Sequence, residues 1–226
     1  MLKFYGQPKF RPNGDTQAPI GYELFIREYQ NNQWCLPQDF CAITATQIQH
    51  LLSETVQAMP NNIELLSFNL EQIQFIDPIF CDVVTSVQEQ TDIQLFTELT
   101  ERTDPRVTLN QLARAAKRFN DRDLLVCIDD VGTGDNTPEL VLKLDDYIDE
   151  YKFALQNFRP FNHISDIESH VSYWYQMAQT HDKMLAIEGI ENAEDLETVR
   201  TKYPCDVIQG YYTGKPALLP AVGTAG

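Results

Sequence analysis

The stretch that best indicates the fold is Cys127-Ile128-Asp129-Asp130-Val131-Gly132-Thr133-Gly134. The apolar residues 124–128 predict a short strand that is buried on both faces. Neighbouring side chains on a strand point to opposite faces, so Asp129 and Asp130 can share one site only where the strand ends. The two glycines suit a turn whose backbone approaches a ligand. Carboxylates at the carboxyl end of a buried strand are typical of a metal or phosphate site in an α/β sheet or barrel, although a strand with an ordinary Asp-Gly turn has the same pattern.

Composition limits the kind of protein this is. The chain has 226 residues, of which 43% are hydrophobic and 22% charged, and this length fits one large α/β domain or two small ones. It carries 33 acidic residues against 17 Lys and Arg, for a formal net charge of -16. This charge argues against non-specific binding to a nucleic-acid polymer or to an anionic membrane.

The cysteines and the hydropathy of the chain indicate the cellular compartment of the protein. The five cysteines are odd in number and form no Cys-x-x-Cys pair, which favours free thiols in a reducing environment. The first residues lack the apolar run of a signal peptide, and no stretch approaches the ~18 apolar residues that a membrane span requires. We therefore expect a cytoplasmic protein.

Strands and helices alternate along the chain. The pattern predicts helices over 39–59, 70–88 with a break at Asp77-Pro78, 104–119, 138–144, 163–180 and 192–203. Strands are predicted over 2–10, 20–27, 63–68, 93–96, 124–129, 147–153, 184–187 and 206–208. With no Gly/Ser-rich linker between them, these elements predict a TIM-like (β/α)8 barrel that forms a single domain over residues 1–226, with a frayed tail from about residue 217.

Nearly every predicted strand carries a residue suited to binding a hard cation or a phosphate. Carboxylate and amide oxygens, without histidine or thiolate, suit Mg²⁺ or Mn²⁺ and disfavour zinc. Two such ions can stabilise the attacking and leaving oxygens of a phosphoryl transfer, so the residues alone favour a two-metal phosphoesterase. These candidate residues are Glu23, Asn69, Glu98, Asp129, Asp130, Lys152, Glu188 and Gln209.

Several segments also resemble one known family. Glu23-Leu24-Phe25-Ile26-Arg27 resembles the Glu-Ala-Leu-x-Arg signature of EAL domains, the bacterial cyclic di-GMP phosphodiesterases. Further segments match motifs of that family in the same order along the chain: Ser67-Phe68-Asn69-Leu70, Glu98-Leu99-Thr100-Glu101, Asp129-Asp130-Val131-Gly132-Thr133-Gly134, Glu188-Gly189-Ile190-Glu191 and Gln209-Gly210-Tyr211.

The resemblance implies a barrel, often dimeric, that hydrolyses cyclic di-GMP to linear pGpG with two Mg²⁺ or Mn²⁺ ions. It assigns the first ion to Glu23, Asn69, Glu98 and Asp129, and the second to Asp129, Asp130 and Glu188. Within this set Glu23, Lys152 and Glu188 would be catalytic, with Lys152 orienting the attacking water.

The resemblance also implies roles around the metals. Arg27 would pair with a phosphate of the substrate, and Gln209 would fix a ligand near the phosphate. Glu101 would hold the loop over residues 130–136 in place.

Some positions depart from the family pattern. The family's Lys-Ile-Asp is Lys152-Phe153-Ala154 in this chain, so a carboxylate beside the metal pair is missing and the second metal site is expected to be weak. In the loop after the paired aspartates, Val131 replaces the family's Phe, and Asp135 adds a negative charge. Two alternatives to an enzyme therefore stay open: a receptor that binds cyclic di-GMP without cleaving it, and a module that binds a protein partner.

Overall fold

A computed structural model describes residues 1–14 and 18–219 of the chain. Its helices are α1 (Ala45–Ala58), α2 (Gln72–Ile76), α3 (Pro78–Gln88), α4 (Leu109–Asn120), α5 (Pro138–Leu144), α6 (Glu168–His181) and α7 (Ala193–Lys202). Its strands are β1 (Leu2–Lys9), β2 (Gly21–Gln30), β3 (Gln33–Cys35), β4 (Leu65–Leu70), β5 (Gln94–Leu99), β6 (Leu125–Ile128), β7 (Glu150–Ala154), β8 (Met184–Glu188), β9 (Val207–Ile208) and β10 (Ala217–Leu218). The alternation predicted from the sequence is confirmed.

Eight of these strands close into a barrel. From β2 the order runs through β4, β5, β6, β7 and β8 to β9, with every neighbouring pair parallel. The barrel closes where Phe10, next to the end of β1, forms an antiparallel bridge with Ile208 of β9. Each residue donates its N–H to the carbonyl of the other, at 3.0 and 2.9 Å. The TIM-like barrel expected from the sequence is confirmed.

The first strand differs from those of a regular (β/α)8 barrel. β1 runs antiparallel to β2, with Leu2 opposite Glu28 and Lys9 opposite Gly21. A parallel pair needs a crossover of about a dozen or more residues, and the segment between β1 and β2 is too short to supply one. β2 also extends beyond the barrel and pairs with β3, an antiparallel addition that the sequence pattern did not reveal.

Three helices begin later than the sequence predicts. The helix expected from residue 163 begins at Glu168, after a short 3-10 helix (Ile164–Ile167). In the other two, a Thr-x-x-Gln capping box decides the start. Asp39 caps only a short 3-10 helix (Phe40–Ala42), and α1 follows Thr44, whose hydroxyl accepts from the N–H of Gln47. The Asp104-Pro105 signal likewise precedes the helix itself. There α4 begins after Thr108, which caps the helix in the same way by accepting from the N–H of Gln111.

The described residues after the barrel include a short strand. Residues 217–218, which the sequence pattern places in a frayed tail, form β10 and pair with β1, with Leu218 opposite Tyr5 and Ala217 opposite Gly6. Residues 15–17 and 220–226 lie outside the described part.

The helices pack around the barrel and leave one end of it open. Apolar side chains fill the layer between strands and helices, and a smaller group fills the barrel interior below the open end: Leu65, Phe96, Cys127, Ala186 and Val207. Among the described helices, none has both the length and the apolar character needed to cross a membrane.

Candidate functional site

The carboxyl ends of the parallel strands bring the predicted residues to one end of the barrel. They border a cavity of about 520 Å³ that is open to solvent on one side. Of the predicted metal ligands in the described chain, Glu98 alone does not line this cavity, because its side chain is completely buried beneath it. The lining includes Glu23, Arg27, Asn69, Glu101, Asp129, Asp130, Lys152, Glu188 and Gln209.

The ammonium group of Lys152 lies at the centre of this constellation. Its Nζ is 3.0 Å from Glu23 Oε2 and from Glu98 Oε2. It also lies 3.1 Å from Asp129 Oδ1 and 3.2 Å from Glu188 Oε2. Only 2% of the lysine side chain is exposed. Four carboxylates, which come from β2, β5, β8 and the loop after β6, therefore share one buried cation.

Amide side chains orient the carboxylates at the edge of the cluster. Gln209 Nε2 donates to Glu23 Oε2 at 2.6 Å, and Asn69 Nδ2 donates to Glu23 Oε1 at 3.3 Å. On the other side, Gln156 Nε2 donates to Glu188 Oε1 at 2.8 Å. Both oxygens of Glu23 therefore accept from amides, and Oε2 also contacts Lys152. Glu188 has one oxygen held by an amide and the other in contact with Lys152.

The loop after β6 carries the second aspartate. Asp130 adopts a left-handed backbone with φ 50°, and its buried Oδ1 has no hydrogen-bond partner among the described residues. Carboxylate oxygens of Glu101, Asp129 and Asp130 lie within 4.8 Å of one another. This spacing is compatible with one hard cation bound by several carboxylates.

The loop is closed mainly by its own hydrogen bonds. The amide of Asn136 donates to the carbonyl of Asp129, and Thr133 Oγ1 donates to the carbonyl of Asp130 at 2.7 Å. Glu101, expected to hold this loop, faces it from the segment after β5, and a Cβ built on Gly134 would be 3.7 Å from Glu101 Cγ.

Arg27 stands above the barrel end on the extension of β2. Its guanidinium carbon lies 5.7 Å from the ring centre of Tyr5 and 5.9 Å from that of Phe25. The aromatic faces restrict where this cation can lie without neutralising it. Arg27 lines the cavity and can therefore reach a ligand there.

Burial and mutual repulsion control ionisation in the cluster. Burial raises the pKa of Glu23 to about 7, and the Glu98 carboxylate adds to the rise. Burial likewise raises the pKa of Glu188 to about 7, with Glu23 contributing repulsion. The pKa of Asp129 is also raised by burial. Burial acts against the ionisation of Glu98 as well, yet the ammonium groups of Lys152 and Lys9 hold its pKa below the usual range.

The donor set fits divalent cations. Six carboxylates meet at the barrel end, and two buried lysines offset only part of their charge. Asp130 Oδ1 and Gln209 Oε1 are buried oxygens without partners among the described residues, and both can accept a cation. Oxygen donors of this kind suit Mg²⁺ or Mn²⁺.

Sequence reasoning missed three polar residues next to the cluster. Lys9 and Glu150 lie inside the barrel, 1% and 2% exposed, and Gln156 follows β7. Lys9 alternates with Gln7 along β1, so a two-residue period could have placed it on the inner face. Ala154, where a carboxylate was expected, is 1% exposed and pairs with Glu188 across β7 and β8.

Comparison with known families adds an independent result. The family model of the EAL domain matches residues 2–216. No curated protein matches the chain significantly.

Solved structures share the fold. The PaMucR phosphodiesterase in complex with c-di-GMP is 23% identical, with a TM-score of 0.76 and coverage of 96% of this chain and 97% of that one. The FimX EAL domain from Pseudomonas aeruginosa, bound to c-di-GMP, is 18% identical with a TM-score of 0.74, over 96% and 90% of the two chains. The Bacillus subtilis YkuI protein, in complex with c-di-GMP and calcium, is 17% identical with a TM-score of 0.74 over 96% of this chain, which spans 55% of that protein.

Proposed function

The chain belongs to the EAL domain family, and we propose that it is a phosphodiesterase that hydrolyses cyclic di-GMP to linear pGpG with two Mg²⁺ or Mn²⁺ ions. The observation that carries this proposal is the contact of one buried ammonium with four carboxylates at 3.0 to 3.2 Å. A protein without a cation-dependent function has no physical need to bury so many like charges together.

The proposed ligand set follows from the donors around Lys152. Glu23, Asn69, Glu98 and Asp129 would hold one ion, and Asp129, Asp130 and Glu188 the other. Bound divalent ions would supply charge stabilisation for the attacking and leaving oxygens of the phosphodiester.

The protein's own groups around the cations would position the substrate. Lys152 Nζ, freed from part of its carboxylate contacts by the entering cations, would donate to the attacking water and fix its direction. The Arg27 guanidinium would bind a phosphate oxygen through a planar pair of donors that a lysine lacks. Gln209 would keep Glu23 in one orientation through the 2.6 Å hydrogen bond, and Glu101 would stabilise the loop beside Asp130.

A second candidate function is a receptor that binds cyclic di-GMP and cleaves it slowly or not at all. Ala154 favours it, because this buried position opposite Glu188 supplies no carboxylate to the second ion. A protein-interaction module is the third candidate, since a barrel that lost its chemistry can still present a partner surface. For all three candidates we propose a single cytoplasmic domain that binds neither a nucleic-acid polymer nor a membrane. Its activity would be regulated by formation of a homodimer or by a protein partner.

The deciding experiment is incubation of the pure protein with cyclic di-GMP and Mn²⁺ or Mg²⁺, paired with calorimetric titration of cyclic di-GMP in Ca²⁺. We expect metal-dependent formation of pGpG. Binding in Ca²⁺ without turnover in Mn²⁺ would instead establish the receptor, and absence of both would leave the interaction module.

Replacing Glu23 tests the assignment of the site. Glu23→Ala removes a proposed ligand and one partner of Lys152, so hydrolysis should fall at least ~100-fold and Mn²⁺ binding should weaken. Glu28→Ala is the matched control, because Glu28 lies on the same strand but does not line the cavity. A Glu23→Ala protein as active as the Glu28→Ala control would contradict the proposed mechanism.

A further inference from the structure

Lys9 is a second buried lysine in contact with the proposed metal site, on the side away from the cavity. Its Nζ lies 3.1 Å from Glu98 Oε1, and the two side chains are 1% and 0% exposed. β1 supplies this lysine from inside the barrel, whereas β7 supplies Lys152 at the cavity. Glu98 is therefore held between two ammonium groups.

The two oxygens of Glu98 have separate partners. Oε1 binds Lys9 at 3.1 Å, and Oε2 binds Lys152 at 3.0 Å. Lys152 borders the cavity, so an entering cation can compete with it for Oε2. Lys9 does not border the cavity, and a cation arriving from solvent cannot reach Oε1 without displacing a fully buried side chain.

We propose that Lys9 is a positioning residue that holds Glu98 Oε1 inside the barrel, so that Glu98 offers Oε2 alone to a divalent cation. This inference rests on the proposed metal-dependent function. Without Lys9, the Glu98 carboxylate could rotate about its last side-chain bond, and the ligand geometry would lose a fixed oxygen. Groups that orient a metal ligand typically change metal affinity by about 10–100-fold when removed.

Glu150 makes it possible to test the positioning role of Lys9 separately from the effect of its positive charge. This glutamate is 2% exposed inside the barrel, and its charge and that of Lys9 attract each other. Replacing Lys9 alone would remove a positive charge and leave Glu150 buried without that counter-charge, which destabilises a fold strongly. Replacing Lys9 and Glu150 together removes one charge of each sign and leaves the net charge of the interior unchanged.

The test compares Lys9→Met/Glu150→Gln with Glu150→Gln, and methionine is chosen because its unbranched chain fills the space of the lysine stem. Metal-free proteins are titrated with Mn²⁺ by calorimetry, without any nucleotide, and their melting temperatures are recorded. We expect the double variant to bind Mn²⁺ about 10–100-fold more weakly than the unmodified protein. Glu150→Gln, which keeps Lys9, should bind as the unmodified protein does.

The outcomes distinguish this inference from the proposed function. Equal Mn²⁺ affinity of the folded double variant and the unmodified protein would overturn the positioning role while leaving the proposed function intact. Failure of the unmodified protein to bind Mn²⁺ would overturn both. Should the methionine variant not fold, Lys9→Gln/Glu150→Gln replaces it. Its amide retains a donor for Glu98 Oε1, so its affinity should fall between those of the unmodified protein and Glu23→Ala.

Discussion

Lys152 occupies the space among the carboxylates that divalent ions would share. Because its Nζ contacts Glu23, Glu98, Asp129 and Glu188 at 3.0 to 3.2 Å, it balances charge in the metal-free protein. Burial acts against its ionisation, but these carboxylates raise the pKa of Lys152 well above its usual value. The lysine is therefore charged in the metal-free protein, and it would have to move away from some of these oxygens for cations to bind them.

The position of Ala154 allows a residue-scale prediction. Ala154→Asp would add a carboxylate at a buried site next to Glu188. Without metal, the added charge should lower the melting temperature through repulsion. With Mn²⁺, the variant should gain more stability than the unmodified protein does. It should also hydrolyse cyclic di-GMP faster. Thermal melts with and without Mn²⁺, together with initial rates, check this.

Gln156 bears on the same prediction, because its amide already holds Glu188 Oε1 at 2.8 Å. If Ala154→Asp gains neither Mn²⁺-dependent stability nor rate, the missing carboxylate is not what limits the second metal site. Phe153→Tyr is not a suitable control, because it adds a hydroxyl to a buried ring. Asp92→Asn is the control, because Asp92 does not line the cavity, and its melting temperature should respond to Mn²⁺ as that of the unmodified protein does.

At the scale of elements, the loop after β6 is packed against α6. Gly132 has φ +83°, and a Cβ built on it would lie 2.4 Å from Nε1 of Trp174, a side chain that is 3% exposed. Gly134, two residues later, also has a positive φ of +53°, but its nearest neighbour would be 3.7 Å away. Both glycines therefore meet the same need for a left-handed backbone, but only Gly132 also leaves space for a neighbouring side chain.

We predict that Gly132→Ala lowers the free energy of unfolding more than Gly134→Ala does. Both substitutions place a Cβ in a left-handed conformation, at a cost of ~1–2 kcal/mol, but only the first also displaces a buried tryptophan. Urea unfolding of the two variants measures the difference. Equal losses would mean that the Trp174 contact contributes nothing beyond the backbone term.

β10 permits a second test at this scale. It pairs with the outer edge of β1, and the side chain of Leu219 covers Gly6, where a built Cβ would lie 2.7 Å from Leu219 Cδ2. A chain ending at Pro216 should melt a few degrees below one ending at Leu219, because it exposes the β1 edge and loses an apolar contact. Identical melting curves would show that the pairing adds no stability.

Single elements also show where sequence reasoning succeeds and fails. The strands of the barrel are short apolar runs that are followed by polar residues, so their order and the meeting of polar side chains at one end of the barrel could be predicted from the sequence. That these side chains bind metal ions stays a proposal. Periodicity alone did not reveal the direction of β1, although the short connection to β2 favours the antiparallel pair that the structure shows. Lys9, Glu150 and Gln156 were missed because their partners lie far away in the chain: Lys9 meets Glu98 only after the barrel closes.

For the whole molecule, the carboxylate cluster predicts how stability depends on pH. Glu23 and Glu188 have pKa values raised from 4.5 to about 7 in the folded, metal-free protein. The folded state therefore holds these protons more tightly than the unfolded chain does. The stability that they contribute is present at low pH and is lost as the pH rises from about 4.5 to about 7.

We expect the melting temperature of the metal-free protein to fall by several degrees between pH 5 and pH 8. Saturating Mn²⁺ should reduce or reverse this fall, because cation binding requires deprotonated ligands. The Glu23→Gln/Glu188→Gln variant should show a flatter pH dependence. A metal-free protein that becomes more stable over this range, with the same slope in the variant, would contradict the assignment.

Barrel closure depends on the bridge between Phe10 and Ile208, which lie near opposite ends of the chain. During synthesis, the β1–β2 hairpin leaves the ribosome early and has no partner on its far side until β9 has been made. Contacts so distant in sequence form slowly, and open sheet edges can pair with other chains. A nascent chain that stops before residue 207 should therefore aggregate or recruit a chaperone, because the barrel cannot close until β9 has been synthesised.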